Sequence, residues 1–332
     1  MASIFSWNRP EVAIDFGTAN MRIIRRDEGI VFDEPSLCCF EKTPGEARLV
    51  AAGVEALDMV DRTPRPLQIK RPLCRGVLQD IAAATQMLRY ALPRAAGIRR
   101  LRPARVLIGV PADATQAERG ALLTAARDAD LRVVGLVSEP LAAALGADLP
   151  IDRPRGTMIV ECGAGTTEVA VLSLGGICGT QSVRIGGARL AQGVADHLHF
   201  RHKMLIGDPT AERIVHAWSS AGDGAEGCPE HIEVRGRSLR TGLPSAIALP
   251  IRELDGVAEK HVGQIVGAVR SLLNAMPPEL SHDIHAHGIV LTGGGAVTPL
   301  LRDVMARDTG LRVNVADDAV HCVSRGLHRL LH

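Results

Sequence analysis

The sequence predicts an α/β protein with two domains, each large enough to have its own hydrophobic core. The chain has 332 residues and a hydrophobic content of 46%, which exceeds the needs of one small domain and suffices for two. Strand-like and helix-like segments alternate along the chain, as they do in α/β proteins. A strand–turn–strand pattern also occurs twice, about half a chain length apart, which indicates a duplicated structural unit.

The repeated unit is an apolar strand, an acidic residue, a glycine-containing turn and a second apolar strand. The first copy covers residues 12–24 with Asp15 as its acid, and the second covers residues 158–172 with Glu161. Glycine allows positive φ and a close approach of the backbone to a ligand, and successive N–H groups in such a turn can bind an anion. Two ordinary β-hairpins would share this pattern, but its repetition at half-chain spacing favours a pair of phosphate-binding turns.

The acids of the repeated unit predict a cation. A carboxylate beside a bound phosphate is repelled unless a positive ion lies between them, so Asp15 and Glu161 indicate Mg²⁺ held through water. A third glycine cluster, residues 293–295, follows an apolar strand and precedes a helix for which Thr298 is the expected cap. A helix N-terminus behind glycine-rich backbone suits the phosphate or ribose of a nucleotide, although a plain strand-to-helix turn has the same pattern.

The composition excludes several classes of function. The 38 Lys and Arg residues nearly balance 37 Asp and Glu, for a net charge of +1, so no overall charge favours nucleic acid. Five Phe, two Trp and one Tyr are too few for a base-stacking surface. Seven cysteines without a C-x-x-C pair argue against a disulfide framework or structural zinc. We therefore expect a cytoplasmic protein without a signal peptide, a membrane span or a nucleic-acid partner.

The three glycine loops, in this order and at these separations, resemble the phosphate-1, phosphate-2 and adenosine motifs of the actin, sugar-kinase and heat-shock-chaperone ATPase superfamily. Within it, the chain most resembles the MreB family of bacterial actins, almost from end to end. The segments that carry this resemblance include DFGTAN (15–20), GIVFDEPS (29–36), PARVLIGVP (103–111), EPLAAA (139–144), GTTEVAV (165–171), SVRIGG (182–187), IEVRGR (232–237) and LTGGGA (291–296).

The resemblance implies an actin-like ATPase fold, in which two ribonuclease H-like domains face each other across a nucleotide cleft and each carries a smaller subdomain. The expected divisions are domain IA (residues 1–32, 76–146 and 319–332), subdomain IB (33–75), domain IIA (147–185 and 250–318) and subdomain IIB (186–249).

The resemblance also implies that ATP and Mg²⁺ bind in the cleft. Glu139 is expected to orient the water that attacks the γ-phosphate, with Thr167 as a second polar partner; taken alone, Glu139 would be read as an acid that compensates a helix dipole. The residues expected to contact the nucleotide are Asp15, Gly17, Thr18, Ala19, Asn20, Glu161, Gly163, Ala164, Gly165, Thr166, Thr167, Gly187, Glu212, Arg213, Ile214, Val215, Gly293, Gly294, Gly295 and Ala296.

Three departures from the family pattern bear on catalysis. Glu161 stands where the family has Asp, which changes the reach of the carboxylate toward the water shell of Mg²⁺. Ala164 replaces a glycine and should restrict φ in the second turn, and Val215 replaces a lysine that contacts the ribose or base. We therefore expect ATP binding, and hypothesise a slow ATPase whose turnover is linked to filament dynamics.

The resemblance also implies a homopolymer of paired protofilaments on the inner face of the cell membrane, which works with cell-wall elongation proteins to determine rod cell shape. Ile98 and Leu101 lie among five arginines in residues 94–105. By resemblance, these two side chains enter the bilayer while the arginines meet anionic headgroups. A solvated basic loop is the alternative interpretation.

Three other functions remain open for this superfamily. A small-molecule kinase would need a substrate pocket with a dedicated acid, for which the sequence has no evident insertion. A chaperone ATPase would need a peptide-binding domain after the last glycine motif. Another actin-like filament, for plasmid segregation or organelle positioning, shares the fold, but the MreB-type segments outside the nucleotide loops favour the shape-determining role.

Overall fold

The computed structural model describes residues 10–42, 47–96, 104–221 and 230–332. Its strands and helices up to residue 150 are, in chain order, β1 (Val12–Phe16), β2 (Asn20–Arg25), β3 (Gly29–Pro35), β4 (Cys38–Glu41), β5 (Arg48–Ala52), α1 (Val54–Leu57), β6 (Leu67–Lys70), β7 (Leu73–Cys74), β8 (Val77–Leu78), α2 (Ile81–Ala96), β9 (Ala104–Val110), α3 (Gln116–Asp128), β10 (Leu131–Ser138) and α4 (Glu139–Gly146).

The elements after residue 150 follow a similar succession of strands and helices. They are β11 (Thr157–Cys162), β12 (Thr167–Ser173), β13 (Gly176–Val183), α5 (Gly187–His202), β14 (Met204–Leu205), α6 (Asp208–Ala221), β15 (His231–Ser238), β16 (Pro244–Pro250), α7 (Asp255–Ala275), α8 (Pro278–His287), β17 (Ile289–Thr292), α9 (Pro299–Thr309), β18 (Val313–Val315) and α10 (Cys322–Arg329).

Two five-stranded mixed sheets have the same strand arrangement. The first sheet has the order β10-β9-β1-β2-β3, and the second sheet has the order β13-β12-β11-β17-β18. In each, three consecutive strands pair antiparallel, one later strand pairs in parallel with the first of them, and a second later strand pairs in parallel with that one. Every residue of β1 and of β11 is buried, as expected for strands covered on both faces. This topology confirms the duplication that the sequence predicts.

Helices cover the outer face of each sheet, and a shared layer lies between the sheets. The first sheet packs on α2 and α3, and the second sheet packs on α7 and α9. A separate apolar cluster joins residues of both sheets to the alanines of α4 and to Val323 and Leu327 of α10. The helices α4 and α10 therefore form the middle layer between the two sheets.

The helices α4 and α10 cross closely because each of them has a glycine where it contacts the other. A Cβ atom on Gly146 would overlap the carbonyl oxygen of Cys322, and a Cβ atom on Gly326 would overlap the carbonyl oxygen of Ala142. Backbone therefore packs directly on backbone at this point, and no larger residue fits unless the helices move apart.

Two small three-stranded sheets project from the main body. One has the order β5-β4-β6 and packs on α1, and the other has the order β14-β15-β16 and packs on α5 and α6. The division of the chain into domains and subdomains stays a proposal, and β3 remains paired with β2 as far as Pro35. Within the described ranges, no helix combines the length and apolarity needed to cross a bilayer.

Candidate functional site

A cavity of about 350 Å³ lies between the two sheets and receives residues from both. It brings together most of the residues that the sequence predicts for the nucleotide. Those that line the cavity are Asp15, Gly17, Thr18, Ala19, Asn20, Glu139, Glu161, Gly163, Ala164, Gly165, Thr166, Gly293 and Gly294.

The first turn (residues 17–20) and the second turn (residues 163–166) close in the same way. The Gly17 N–H donates to the carbonyl of Asn20, and the Gly163 N–H donates to the carbonyl of Thr166, both at 2.9 Å. Neither turn contains a residue with positive φ. The expectation that Ala164 restricts the second turn is therefore wrong, since alanine adopts this backbone without strain.

The two turns contact each other, which explains the glycine at position 165. The Gly76 N–H donates to Thr18 Oγ1 at 3.0 Å. A Cβ atom on Gly165 would overlap Thr18 Oγ1 and lie 2.7 Å from the Gly76 nitrogen. Close approach of two backbones, rather than an unusual conformation, is thus the reason for this glycine.

Asp15 lies at the end of β1 and points to the cavity. Its Oδ2 accepts a hydrogen bond from Ser324 Oγ of α10 at 2.7 Å and lies 3.5 Å from Arg22 Nη1. Burial raises the pKa of Asp15 above its ordinary value, and this effect exceeds the opposing influence of Arg22 and Ser324. An additional positive charge in the cavity would favour the ionised form.

Glu161 occupies the equivalent place at the end of β11, but its cross-strand neighbour differs. In the first sheet Asp15 is opposite Arg22, whereas in the second sheet Glu161 is opposite Glu168. Like charges that face each other across a strand pair are destabilising. Burial, followed by the charges of Glu168 and Asp15, raises the pKa of Glu161 well above its ordinary value.

Glu168 is a fully buried acid opposite the cavity residue Glu161, and sequence reasoning missed it. Its Oε1 accepts hydrogen bonds from the Ala112 N–H at 2.8 Å and from Ser182 Oγ at 2.9 Å. Its Oε2 is buried without a hydrogen-bond partner in the described structure. Burial raises the pKa of Glu168 to about 7, against the effect of these two hydrogen bonds. Because Ala112 follows β9 of the first sheet, Glu168 joins the two halves of the cleft.

Glu139 is the first residue of α4 and lines the cavity. Burial raises its pKa well above the ordinary value, and the charges of Glu168, Glu161 and Asp15 raise it further. One cavity thus collects several buried carboxyl groups. Carboxylate oxygens are the ligands that Mg²⁺ prefers, and a divalent cation would relieve this repulsion. The donor set therefore fits the predicted Mg²⁺.

The third glycine loop lies next to the second turn. Gly293 and Gly294 line the cavity, and a Cβ atom on Gly293 would lie 2.7 Å from Glu161 Oε1. Gly295 packs against Cys162, and Ala296 is buried in the core of the second sheet. The side chain of Ala296 is thus a core contact.

The remaining predicted residues lie outside the cavity lining. Thr167 is fully buried, and its hydroxyl donates to the carbonyl of Ile185 at 2.7 Å. Gly187 begins α5, where its N–H donates to the carbonyl of Gly163 at 3.1 Å. Ile98 and Leu101 lie outside the residues that the structure describes.

The residues predicted on α6 divide between the surface and the core. Glu212 and Arg213 are exposed, whereas Ile214 is completely buried and packs with Val215 in the cluster that holds α5 and α6 together. The side chain of Ile214 is thus a core contact, and a contact of this residue with the nucleotide stays a prediction. Contacts by Glu212, Arg213 and Val215 stay predictions.

Arg184 makes a second connection across the cleft that the sequence did not reveal. Its guanidinium lies 3.3 Å from Glu118 Oε1 and 3.6 Å from Asp113 Oδ2, and it donates to the carbonyl of Arg75 at 3.2 Å. Arg184 follows β13 of the second sheet, whereas its three partners precede β10 of the first sheet. The two halves of the cleft are therefore joined by charge as well as by the Glu168 hydrogen bonds.

The raised pKa of Glu168 predicts a pH-dependent stability. Between about pH 4.5 and 7 the folded chain keeps this proton while the unfolded chain releases it. The free energy of unfolding should therefore fall as the pH rises through this range, by about 3 kcal/mol. Urea unfolding across this range should show a shallower decline for Glu168→Gln. Glu259→Gln, on the exposed face of α7, is the control; equal slopes for all three proteins would contradict the prediction.

Comparison with known proteins identifies the family. The family model described as MreB/Mbl protein matches residues 9–332. The cell shape-determining protein MreB of Escherichia coli is 41% identical over 319 residues, which cover 95% of this chain and 91% of that protein.

Solved structures agree with this sequence match. MreB5 of Spiroplasma citri bound to ADP superposes with a TM-score of 0.87 at 31% identity, covering 96% of this chain and 94% of that one. The MamK double helical filament has a TM-score of 0.76 at 22% identity over 96% of this chain and 97% of that one, a likeness of fold alone. These superpositions confirm the predicted actin-like fold. By its sequence and its structure, the chain belongs to the MreB/Mbl protein family.

Proposed function

We propose that this chain binds ATP with Mg²⁺ and polymerises into paired protofilaments on the inner face of the cell membrane. There it helps to determine rod cell shape together with cell-wall elongation proteins. The role of the Escherichia coli relative, a cell shape-determining protein, supports this proposal, as does the filament of the more distant MamK.

The observation that carries the proposal is the meeting of two equivalent turns, one from each sheet, over a cavity with buried carboxyl groups. A ligand held by both turns would couple the closure of the cleft to the state of the nucleotide. Structures of MreB5 with ADP and with AMPPNP support a nucleotide as that ligand. The backbone N–H groups of Thr18, Ala19 and Gly165 are our candidates for its phosphates.

Asp15 and Glu161 would hold Mg²⁺ through water. The cation would supply charge neutralisation for the phosphates. Glu161 is one methylene longer than the aspartate of the family pattern, so its carboxylate reaches further into the water shell. Arg22 already balances part of the charge of Asp15, and no equivalent cation faces Glu161 among the described residues.

Glu139 would orient the attacking water and accept its proton. Thr167 is fully buried and its hydroxyl already donates a hydrogen bond to the carbonyl of Ile185, so a contact with that water would require the hydroxyl to turn toward the cavity. The base role is therefore assigned to Glu139 alone. Because Glu139 is the only base and Glu161 stands where the family pattern has aspartate, we propose that the chain hydrolyses ATP slowly.

Pelleting and negative-stain microscopy of the purified protein test the proposal. Reactions contain Mg-ATP, Mg-ADP or no nucleotide, with and without anionic liposomes. We expect paired filaments only with ATP, and attachment of these filaments to the liposomes. A filament repeats a weak membrane contact many times, so the variant with Ile98 and Leu101 both replaced by serine should still polymerise but leave the liposomes bare.

A protein that binds ATP and never assembles would overturn the filament proposal and leave the nucleotide site intact. Bare liposomes with unaltered filaments of the parent chain would overturn only the membrane proposal. Two other outcomes point to other functions: ATP consumption that depends on an added sugar favours a kinase, and filaments without any effect on cell shape favour another actin-like filament.

A further inference from the structure

A cluster of two histidines and one glutamate lies in the subdomain built around β14, β15 and β16. His197 and His202 belong to the C-terminal part of α5, and Glu253 lies in the 3-10 turn Ile251–Leu254 that follows β16. Both histidines direct Nε2 at the same oxygen, Glu253 Oε1, at 2.8 Å. The three side chains come from two separate elements and converge on one point.

The geometry of the cluster suits a metal ion. One ligand atom from each of the three residues can be chosen so that all three lie within 4.8 Å of one another. The imidazole rings are 6.0 Å apart and tilted by 55°, so their nitrogen atoms approach the common point from different directions. Tetrahedral metal sites need ligands that converge in this way without lying in one plane.

Because the cluster is partly exposed, an ion can enter it from solvent, and the charge of the bound ion would not be buried. The side chains of His197, His202 and Glu253 are 20%, 25% and 23% exposed. A carboxylate and two imidazoles are thus available together at a partly shielded surface.

Arg201 is the competing cation. Its Nε lies 3.8 Å from Glu253 Oε1, and its side chain is 75% exposed. An exposed arginine contributes little to such a pair, so it can turn into solvent when a divalent ion occupies the site. No cysteine takes part, and the ligand set of two nitrogens and one oxygen favours Zn²⁺ over Mg²⁺ or Ca²⁺.

We propose that His197, His202 and Glu253 bind one Zn²⁺ ion, with water in the remaining coordination position. On binding, each imidazole presents the lone pair of Nε2 and carries its proton on Nδ1, while Glu253 supplies one carboxylate oxygen. The ion replaces two hydrogen bonds with three metal–ligand bonds. It thereby connects the end of α5 to the turn that precedes α7, at a distance from the nucleotide cleft.

A zinc titration tests the proposal directly. The full chain is first freed of metal with EDTA, and ZnCl₂ is then added in competition with a chromophoric chelator. We expect one equivalent to bind to the parent chain, and affinity to fall by about tenfold or more when His202→Gln or Glu253→Gln removes one ligand. His199→Gln changes a histidine of the same helix outside the cluster and should leave the affinity unchanged.

Cobalt spectroscopy separates this site from other histidines. The visible absorption of bound Co²⁺ reports a tetrahedral environment in the parent chain and in His199→Gln, and should disappear in His202→Gln. If Glu253→Gln fails to fold by circular dichroism, His202→Gln decides the result. Equal zinc affinity and equal cobalt spectra for His202→Gln and the parent chain would overturn the proposal, as would the absence of saturable zinc binding to the parent chain.

Discussion

Replacement of Glu139 with glutamine is expected to slow phosphate release from ATP by about a hundredfold to a thousandfold. Glutamine has the same size and fits the same place at the start of α4, but it cannot accept a proton from the attacking water. Nucleotide affinity should change little, because the turns that hold the phosphates are untouched. Single-turnover phosphate release and equilibrium binding of a fluorescent ATP analogue measure the two quantities separately.

The pH dependence of this reaction offers an independent check. Burial and the neighbouring carboxylates raise the pKa of Glu139 well above its ordinary value, so the base is ionised only as the pH rises. Phosphate release by the parent chain should therefore increase with pH, and the residual rate of Glu139→Gln should not. An unchanged rate in the variant would show that Glu139 is not the base and that its carboxyl group only compensates the dipole of α4.

Replacement of Gly326 with alanine is expected to destabilise the protein by about 3 kcal/mol. The added methyl group would overlap the carbonyl oxygen of Ala142, and backbone atoms cannot move aside as a side chain can. The helices α4 and α10 would have to separate, which would open the apolar layer between the two sheets. Urea unfolding of the two proteins measures the loss.

Gly263→Ala is the matched control, because Gly263 lies inside α7 and a Cβ atom there meets nothing within 4 Å. In open space a glycine-to-alanine change stabilises a helix by up to about 1 kcal/mol. The two variants should therefore move the free energy of unfolding in opposite directions. Similar stabilities for both variants would mean that the crossing of α4 and α10 tolerates a wider separation than the structure has.

The two turns were predictable because their signals are local. Each combines a buried strand, an acid and a small turn within a few residues, and the repetition of the unit removed most of the ambiguity. The position of Glu139 was predictable for a related reason, since a residue directly before Pro140 begins a helix at the end of a strand. The resemblance then supplied the order of the elements, which no local pattern contains.

Glu168 and Arg22 were missed although both lie in the repeated unit. Their places at the site depend on the register of each hairpin, which the composition of the turn does not show. The hydrogen bond between Gly163 and Thr166 closes the second turn, and with that closure Glu161 must face Glu168 across the strand pair. The pairing of Glu161 with Glu168 therefore follows from the register of the hairpin. That register can be counted along the sequence once the residues that close the turn are known.

Other features depend on contacts between distant parts of the chain, which no short sequence pattern predicts. Ser324 reaches Asp15 only because α10 packs against the first sheet, and Arg184 reaches Glu118 only when the two sheets face each other. Burial of the Ile214 side chain likewise depends on the packing of α6 on α5, which its family position does not show. The His197, His202 and Glu253 cluster likewise requires the end of one helix to meet a distant turn.

The hydrogen bond between Ser324 and Asp15 also sets the order in which the molecule can be completed during synthesis. The two residues are 309 positions apart, so a ribosome that adds about 5–20 residues per second needs roughly 15 to 60 s to produce the second after the first. Until then the first sheet lacks one of the helices of its inner face, whereas all five strands of the second sheet have already been synthesised. A nascent chain that has not yet reached α10 therefore lacks both this hydrogen bond and the helix that packs with α4 between the two sheets.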